Sequence, residues 1–206
     1  MDSARLEVIC KMLRPSPLTA DIGCDHGFVS LYASKNCGGR VIASDISEGS
    51  LKKAQELLKD CKNAKTLLSN GFDAYDERVT QAVISGMGGR LIIDILSRID
   101  YRPDLVLGAQ HNAKELREYL ITNGYKIVED ECVFDRDKFY EIIRAEEGES
   151  EELDDLALTY GVFYKRKNPH LLRYLKQEKA KVEGYKRTPK NEKRLSEIKE
   201  VLIWQE

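Results

Sequence analysis

The segment Ala20-Asp21-Ile22-Gly23-Cys24-Asp25-His26-Gly27 decides the fold. It ends a short apolar run, Leu18 to Ile22, and opens onto Phe28 to Ser34, which has helical composition. That order reads as a strand entering a tight turn ahead of a helix. Upstream, Leu6, Ile9, Cys10 and Leu13 recur at helical spacing and Pro15 and Pro17 close that helix. Downstream, Gly38-Gly39 breaks the second helix and Arg40 to Asp45 predicts a second strand. Ser47 to Lys59 follows as a helix, with Ser47 as N-cap and Leu51, Ala54, Leu57 and Leu58 on one face. Ala64 to Ser69 and Gln81 to Ser85 predict strands, Arg90 to Ile99 a helix, Leu105 to Ala109 a strand and Ala113 to Asn123 a helix. Tyr125 to Phe134 and Lys138 to Ala145, joined by Asp135-Arg136-Asp137, predict a hairpin. Alternating strands and helices imply an α/β fold, a mostly parallel sheet covered on both faces and finished by an antiparallel pair.

The acidic stretch Glu146 to Asp155 reads as an exposed connection, after which Asn168-Pro169 offers a helix start. His170 to Glu183 and Asn191 to Trp204, separated by Gly184 and Pro189, predict a helical hairpin. Two units are therefore expected, residues 1–150 and a small helical, basic unit of residues 151–206. The 206 residues are 42% hydrophobic and 33% charged, which excludes a wholly disordered chain. The apolar runs fall well short of the roughly 18–20 residues of a membrane span, and the charged start has no signal-peptide core, so a cytoplasmic protein is expected. Five widely spaced cysteines suggest neither a disulfide framework nor a zinc site, and no metal is expected. The net charge of −2 hides an asymmetry: residues 165–206 carry 13 Lys and Arg against 6 Asp and Glu, a net of +7, leaving −9 on the rest. Such polarity points to a polyanionic partner, although a solvated helix face has the same composition.

In open α/β sheets ligands bind beyond the carboxyl ends of the strands, which directs attention to the first turn. A dinucleotide fingerprint places glycine where this chain has Asp25, so that backbone amides can approach a pyrophosphate. Asp25, with Asp21 close by, makes the mouth acidic and repels a diphosphate. S-adenosylmethionine, with a sulfonium and an ammonium but no phosphate, suits it better. Asp45, 22 residues after Gly23, has the place of a ribose-binding acid for either cofactor. Asn70-Gly71-Phe72 at the third strand end offers an amide and an aromatic face, and Gly86-Met87-Gly88-Gly89 at the fourth leaves the backbone bare. Taken singly, these are loop glycines, a turn and a core aromatic. Their recurrence at successive strand ends is the stronger signal.

Together, Ala20 to Gly27, Ile84-Ser85-Gly86-Met87-Gly88-Gly89, Leu105 to Asn112 and Lys138-Phe139-Tyr140-Glu141-Ile142-Ile143 resemble the bacterial tRNA (adenine-22-N1)-methyltransferase family over nearly the whole chain. The resemblance implies a Rossmann-like class I S-adenosylmethionine-dependent methyltransferase. Its sheet would have seven strands with an antiparallel end hairpin, and a coiled-coil-like helical domain would follow. It implies a cofactor site of Arg5, Asp21, Gly23, Asp25, His26, Gly27, Asp45, Ile46, Asn70, Gly71, Phe72, Gly86, Met87 and Gly88, and N1 of an adenosine in tRNA as the target. Two departures stand out. Gln110-His111-Asn112 replaces the usual Gln-Pro-Asn, and Asn70-Gly71 replaces Asp-Gly.

Neutral adenine already carries a lone pair at N1, so methylation there needs positioning more than a strong base. Asp25, Gln110 and Asn112 are the candidate catalytic residues in that sense, the two amides reading the edge of an extruded adenine. Lys165, Arg166, Lys167, Arg173, Lys176, Lys186, Arg187, Lys190 and Arg194 are the candidate RNA contacts. A monomer acting on tRNA is favoured. The competing readings are a methyltransferase of a small molecule, a protein or another RNA, an NAD-dependent oxidoreductase, which Asp25 opposes, and an RNA-binding module resting on the basic tail alone.

Overall fold

The computed structural model describes residues 3–206. In chain order the elements are α1 (Ala4–Met12), β1 (Ser16–Ile22), α2 (Phe28–Asn36), β2 (Gly38–Asp45), α3 (Glu48–Leu58), β3 (Ala64–Leu68), β4 (Gln81–Met87), α4 (Gly89–Leu96), β5 (Asp104–Ala109), α5 (Ala113–Thr122), β6 (Tyr125–Asp135), β7 (Lys138–Glu147), α6 (Asp155–Tyr160), α7 (Pro169–Glu183) and α8 (Pro189–Gln205). The seven strands form one sheet in the order β3-β2-β1-β4-β5-β7-β6. β1 to β5 are parallel, and β7 runs antiparallel to both of its neighbours. β1 lies between β2 and β4, so the connections leave it in opposite directions and open a crevice at its carboxyl end.

The strands alternate their apolar side chains between two faces. Leu18, Ala20, Ile22, Ile84, Leu105 and Leu107 pack under Ile92 and Ile95 of α4 and Leu116 and Leu120 of α5. Val41, Val83 and Val106 face the other way, against Ile9 and Met12 of α1 and Val29 and Ala33 of α2. Gly39 is a departure from the sequence expectation: with Gly38 it begins β2 instead of only ending α2. A Cβ on Gly39 would stand 2.1 Å from the Ser16 carbonyl oxygen, so glycine is what lets the chain approach β1 there. β7 runs on to Glu147, so less of the acidic stretch is loop than its composition suggests. Asp154 then caps α6, a helix not expected from the sequence, by accepting a 2.6 Å hydrogen bond from the Ala157 amide. Asn168 and Thr188 cap α7 and α8, each followed by proline at the first helical position.

The C-terminal helices have their own apolar core of Leu171, Leu175, Val182, Ile198 and Val201. They are fastened to the sheet and to the α6–α7 connection by polar bonds. Asn168 donates to Glu131 Oε2 at 2.8 Å and to the Cys132 carbonyl at 3.2 Å. The buried Gln205 donates to the Tyr164 and Arg166 carbonyls at 2.6 and 2.7 Å. Arg117 on α5, with 1% of its side chain exposed, donates to both oxygens of Asp130 at 2.7 and 3.0 Å, to Glu141, and to the Leu158 carbonyl at 2.9 Å. Asp130 also accepts from the Val162 amide at 2.9 Å. Burial opposes the Arg117 charge, but the two carboxylates outweigh it and its pKa is raised. Asp130→Ala leaves that guanidinium buried with one carboxylate, and equilibrium urea unfolding should show a loss of about 3–5 kcal/mol. A loss below about 1 kcal/mol would show that the ion cluster does not carry this junction.

Candidate active site

The turn after β1 is shaped by its backbone. The Gly23 and Cys24 amides donate to the Ser44 carbonyl at 2.8 and 2.9 Å, which folds the turn against the end of β2. Gly23 has φ +72°, and a Cβ there would meet the Met87 Cε at 2.3 Å, so the turn needs glycine for conformation and for space. Asp25 also has positive φ, +47°, a region that Asp tolerates better than most residues. Its amide donates to Asp45 Oδ2 at 3.1 Å, while Asp45 Oδ1 accepts from the Ser47 amide at 2.8 Å. Two backbone donors thus fix the Asp45 carboxylate at the carboxyl end of β2 while its remaining lone pairs stay available.

A cavity of about 600 Å³ opens over these residues. Gly23, Asp25 and His26 line it from the first turn, Asp45 and Ile46 from the second strand end, and Asn70 and Gly71 from the third. Gly86, Met87 and Gln110 complete it from the fourth and fifth. Arg5 of α1 reaches in, its guanidinium 4.9 Å from the Tyr140 ring centre. Arg5 Nε and Ser85 Oγ are buried polar atoms without a hydrogen-bond partner, and both residues line the cavity. An unpartnered arginine donor together with two carboxylates is the donor set for a ligand that carries both signs of charge and hydroxyl groups.

Most of the expected cofactor residues therefore meet in one place. Phe72 is a correction: 6% exposed, it packs edge-on to Tyr75 and Tyr101 in the core and does not reach the cavity. Its aromatic ring packs in the core of the sheet's α4/α5 face. Gly27 and Gly88 lie at the N-caps of α2 and α4 and are absent from the cavity wall. Asn112 sits at the N-cap of α5, bonded to Glu115 at 2.8 Å, and lines a different cavity together with Gln110. Residues that the sequence reading missed include Ser69, Phe28 and Leu91. Phe28 is 46% exposed and stacks on His26, and an apolar residue directly after the glycine turn was the available signal.

The expected RNA contacts divide into three groups. Lys186, Arg187 and Lys190 are exposed around the α7–α8 connection and carry no ion pair among the described residues. Lys165 lies 5.4 Å from the ring centres of Tyr164 and Trp204, Arg166 4.1 Å over Phe163 and Arg173 3.7 Å over Phe134. Arg194 is paired with Glu178, Lys176 approaches Glu206 at 3.8 Å, and Lys167 donates to the Glu206 carbonyl, so these three already have partners within the chain. The cysteines are all free, and burial pushes the Cys10 and Cys24 thiols up to about 12, as expected of structural thiols.

The methyltransferase domain family matches residues 2–143, and this chain belongs to that family. Over 192 residues it is 28% identical to the tRNA (adenine(22)-N(1))-methyltransferase of Bacillus subtilis, covering 85% of this chain and 80% of that one. MG248 of Mycoplasma genitalium is 34% identical over 131 residues, 61% of this chain, and the match spans 60% of that relative's length. The crystal structure of Streptococcus pneumoniae Sp1610 in complex with S-adenosyl-L-methionine superposes with a TM-score of 0.87 at 27% identity, covering 98% of this chain and all of that one. No helix among the described residues is long and apolar enough to cross a membrane.

Asp21 lies on the wall of the cavity but is 5% exposed, its Oδ2 accepting from the Ser30 amide at 3.0 Å and hydroxyl at 2.6 Å. Burial pushes its pKa up to about 6 against those two bonds. Folded protein therefore holds this proton longer than unfolded protein does. Its contribution to stability falls as pH rises from about 4 to about 6, and the cost, on the order of 2–3 kcal/mol, is complete above that. Asp21→Asn keeps an acceptor for Ser30 without the charge. Its stability relative to the parent should rise across that window in denaturant titrations, and parallel pH profiles would overturn the assignment.

Proposed function

We propose that this chain uses S-adenosylmethionine to methylate N1 of an adenosine in tRNA, at adenine 22, as a cytoplasmic monomer. The observation that carries the reading is the acidic glycine turn: Asp25 and Asp45 flank Gly23, facing the unpartnered Arg5 donor across one cavity. That arrangement fits a zwitterionic amino-acid group joined to a ribose, and its carboxylates disfavour a diphosphate. Arg5 would take the carboxylate of the methionyl group and Asp45 the ribose hydroxyls. Ile46, 72% exposed at the rim, and the Asn70-Gly71 turn would hold the adenine. When bound, the cofactor supplies a methyl group on an electrophilic sulfonium.

The remaining work falls to this chain's own residues. Gln110 is held by the bond from its Nε2 to the Gly86 carbonyl at 2.8 Å, which fixes a planar amide at the end of β5. Gly86, with no side chain and a positive φ, leaves the wall bare at the end of β4. Exclusion of water and alignment then supply the acceleration, since N1 needs no deprotonation before it reacts. The division at about residue 150 belongs to this reading: the sheet takes the cofactor, and the helical unit, with Lys186, Arg187 and Lys190 unpaired, takes RNA phosphates. The names of the relatives in Bacillus subtilis and Streptococcus pneumoniae support tRNA as substrate.

Purified protein incubated with methyl-labelled S-adenosylmethionine and unmodified bacterial tRNA should place label in 1-methyladenosine. Asp45→Ala should abolish most of that label and weaken cofactor binding. Label absent from every nucleoside, in protein that binds the cofactor, would overturn the tRNA reading in favour of a small-molecule or protein acceptor. Separately, the triple variant Lys186→Ala, Arg187→Ala, Lys190→Ala should weaken tRNA binding and flatten the log affinity against log salt slope by about 2–3 units. An unchanged slope would remove these residues from the interface.

A further inference from the structure

A second cavity, of about 290 Å³, lies at the other side of Gln110, where α6, α7 and their connecting loop roof the carboxyl end of β5 and the adjoining part of β7. Gln110 belongs to the walls of both cavities. The volume is at the low end of small-molecule sites, which run roughly 300–1,000 Å³, and suits a single planar ring system. Its lining is ordered by chemistry. Phe139, Phe163 and Tyr164 present aromatic surface. Glu141, in register with Ala109 of β5, is one-third exposed; its Oε2 is held by Arg117 while Oε1 has no partner among the described residues. Exposed Arg166 and Lys167 stand on the same wall, Arg166 with its guanidinium over the Phe163 ring.

Carboxylate and aromatic surface inside with cations beside them match a nucleotide entering base first. A free phosphate would be refused by Glu141, and its neighbours Asp130 and Glu131 also line the cavity. We propose that this cavity receives the extruded target adenine, with Glu141 accepting a hydrogen bond from its exocyclic amine, Phe163 stacking on its face, and Arg166 on a flanking phosphate. The proposal rests on the reading of the chain as a tRNA adenine-N1 methyltransferase. Adenine presents an N–H donor where guanine presents a carbonyl oxygen, so a carboxylate there selects between the two purines. The same carboxylate lies against the positive charge that methylation at N1 creates on the base. In this arrangement the C-terminal helices form part of the substrate pocket itself, in addition to binding RNA at a distance.

Two experiments test it. First, a tRNA transcript carrying 8-azidoadenosine at position 22 is irradiated with the protein in the absence of cofactor, and the adduct is mapped by mass spectrometry. An adduct on the peptides containing residues 109–113, 130–132, 139–141 or 159–174 is expected; one confined to other peptides overturns the pocket. Second, Phe163→Ala and Glu141→Gln are assayed for label transfer to tRNA. Each should lower kcat/KM at least about tenfold with cofactor affinity unchanged, and Phe163→Tyr should restore most of the loss. If Glu141→Gln fails to fold because Arg117 loses a partner, Phe163→Ala and the adduct decide. Parental kcat/KM in folded variants overturns the pocket and leaves the tRNA reading standing. No label from the parent protein overturns both.

Discussion

A guanidinium buried to 1% exposure is stable only if every direction around it supplies compensating charge or a carbonyl, and Arg117 draws these from three separate stretches of chain. Asp130 comes from β6, Glu141 from β7, the Leu158 carbonyl from α6, and the Val162 amide returns to Asp130 from the loop beyond. Hydrophobic packing between the sheet and the C-terminal helices would permit small sliding motions. A fixed fork of donors does not, because each displaced bond strands a charge in a medium that solvates it poorly. The position of the α6 loop relative to β5 and β7, and with it the shape of the second cavity, follows from this one side chain.

The two cavities use the sheet differently. The larger one exploits the reversal of connections at β1, where loops diverge and leave carboxyl-end backbone exposed. The smaller one lies beyond β5, where the parallel order ends and β7 runs the other way. An antiparallel neighbour brings a side chain from mid-strand, Glu141, beside the end of β5, which a parallel strand with its own terminal loop would not do. Gln110 stands between them, held by a bond to the Gly86 carbonyl.

The alternation of Leu18 to Ile22 with a glycine turn, repeated at later strands, made the α/β order and the position of the larger cavity readable without coordinates. The Asp25 substitution at the turn likewise carried its electrostatic consequence in one residue. What was not readable depended on distance in space. Phe72 follows a loop motif, yet Tyr75 and Tyr101 draw it into the core. The second cavity combines residues near positions 110, 141 and 163 that no local spacing relates. Helix α6 was hidden by an acidic stretch whose first residues end a strand and whose Asp154 is a helix cap. Basic residues in the tail looked equivalent in sequence, and only neighbours such as Glu178 and Glu206 separate the paired from the free.

The place of β7 in the sheet also sets a timetable. It is the last strand in the sequence but lies inside the sheet, between β5 and β6. A chain emerging from its N-terminus finishes the walls of the larger cavity by Gln110, while the smaller one waits for β7, α6 and α7, and its loop is pinned only when Gln205 arrives near the end of α8. Domains form as units during synthesis, N-terminal parts first. Every residue that walls the larger cavity is therefore synthesised before β7, α6 and α7, which complete the smaller one.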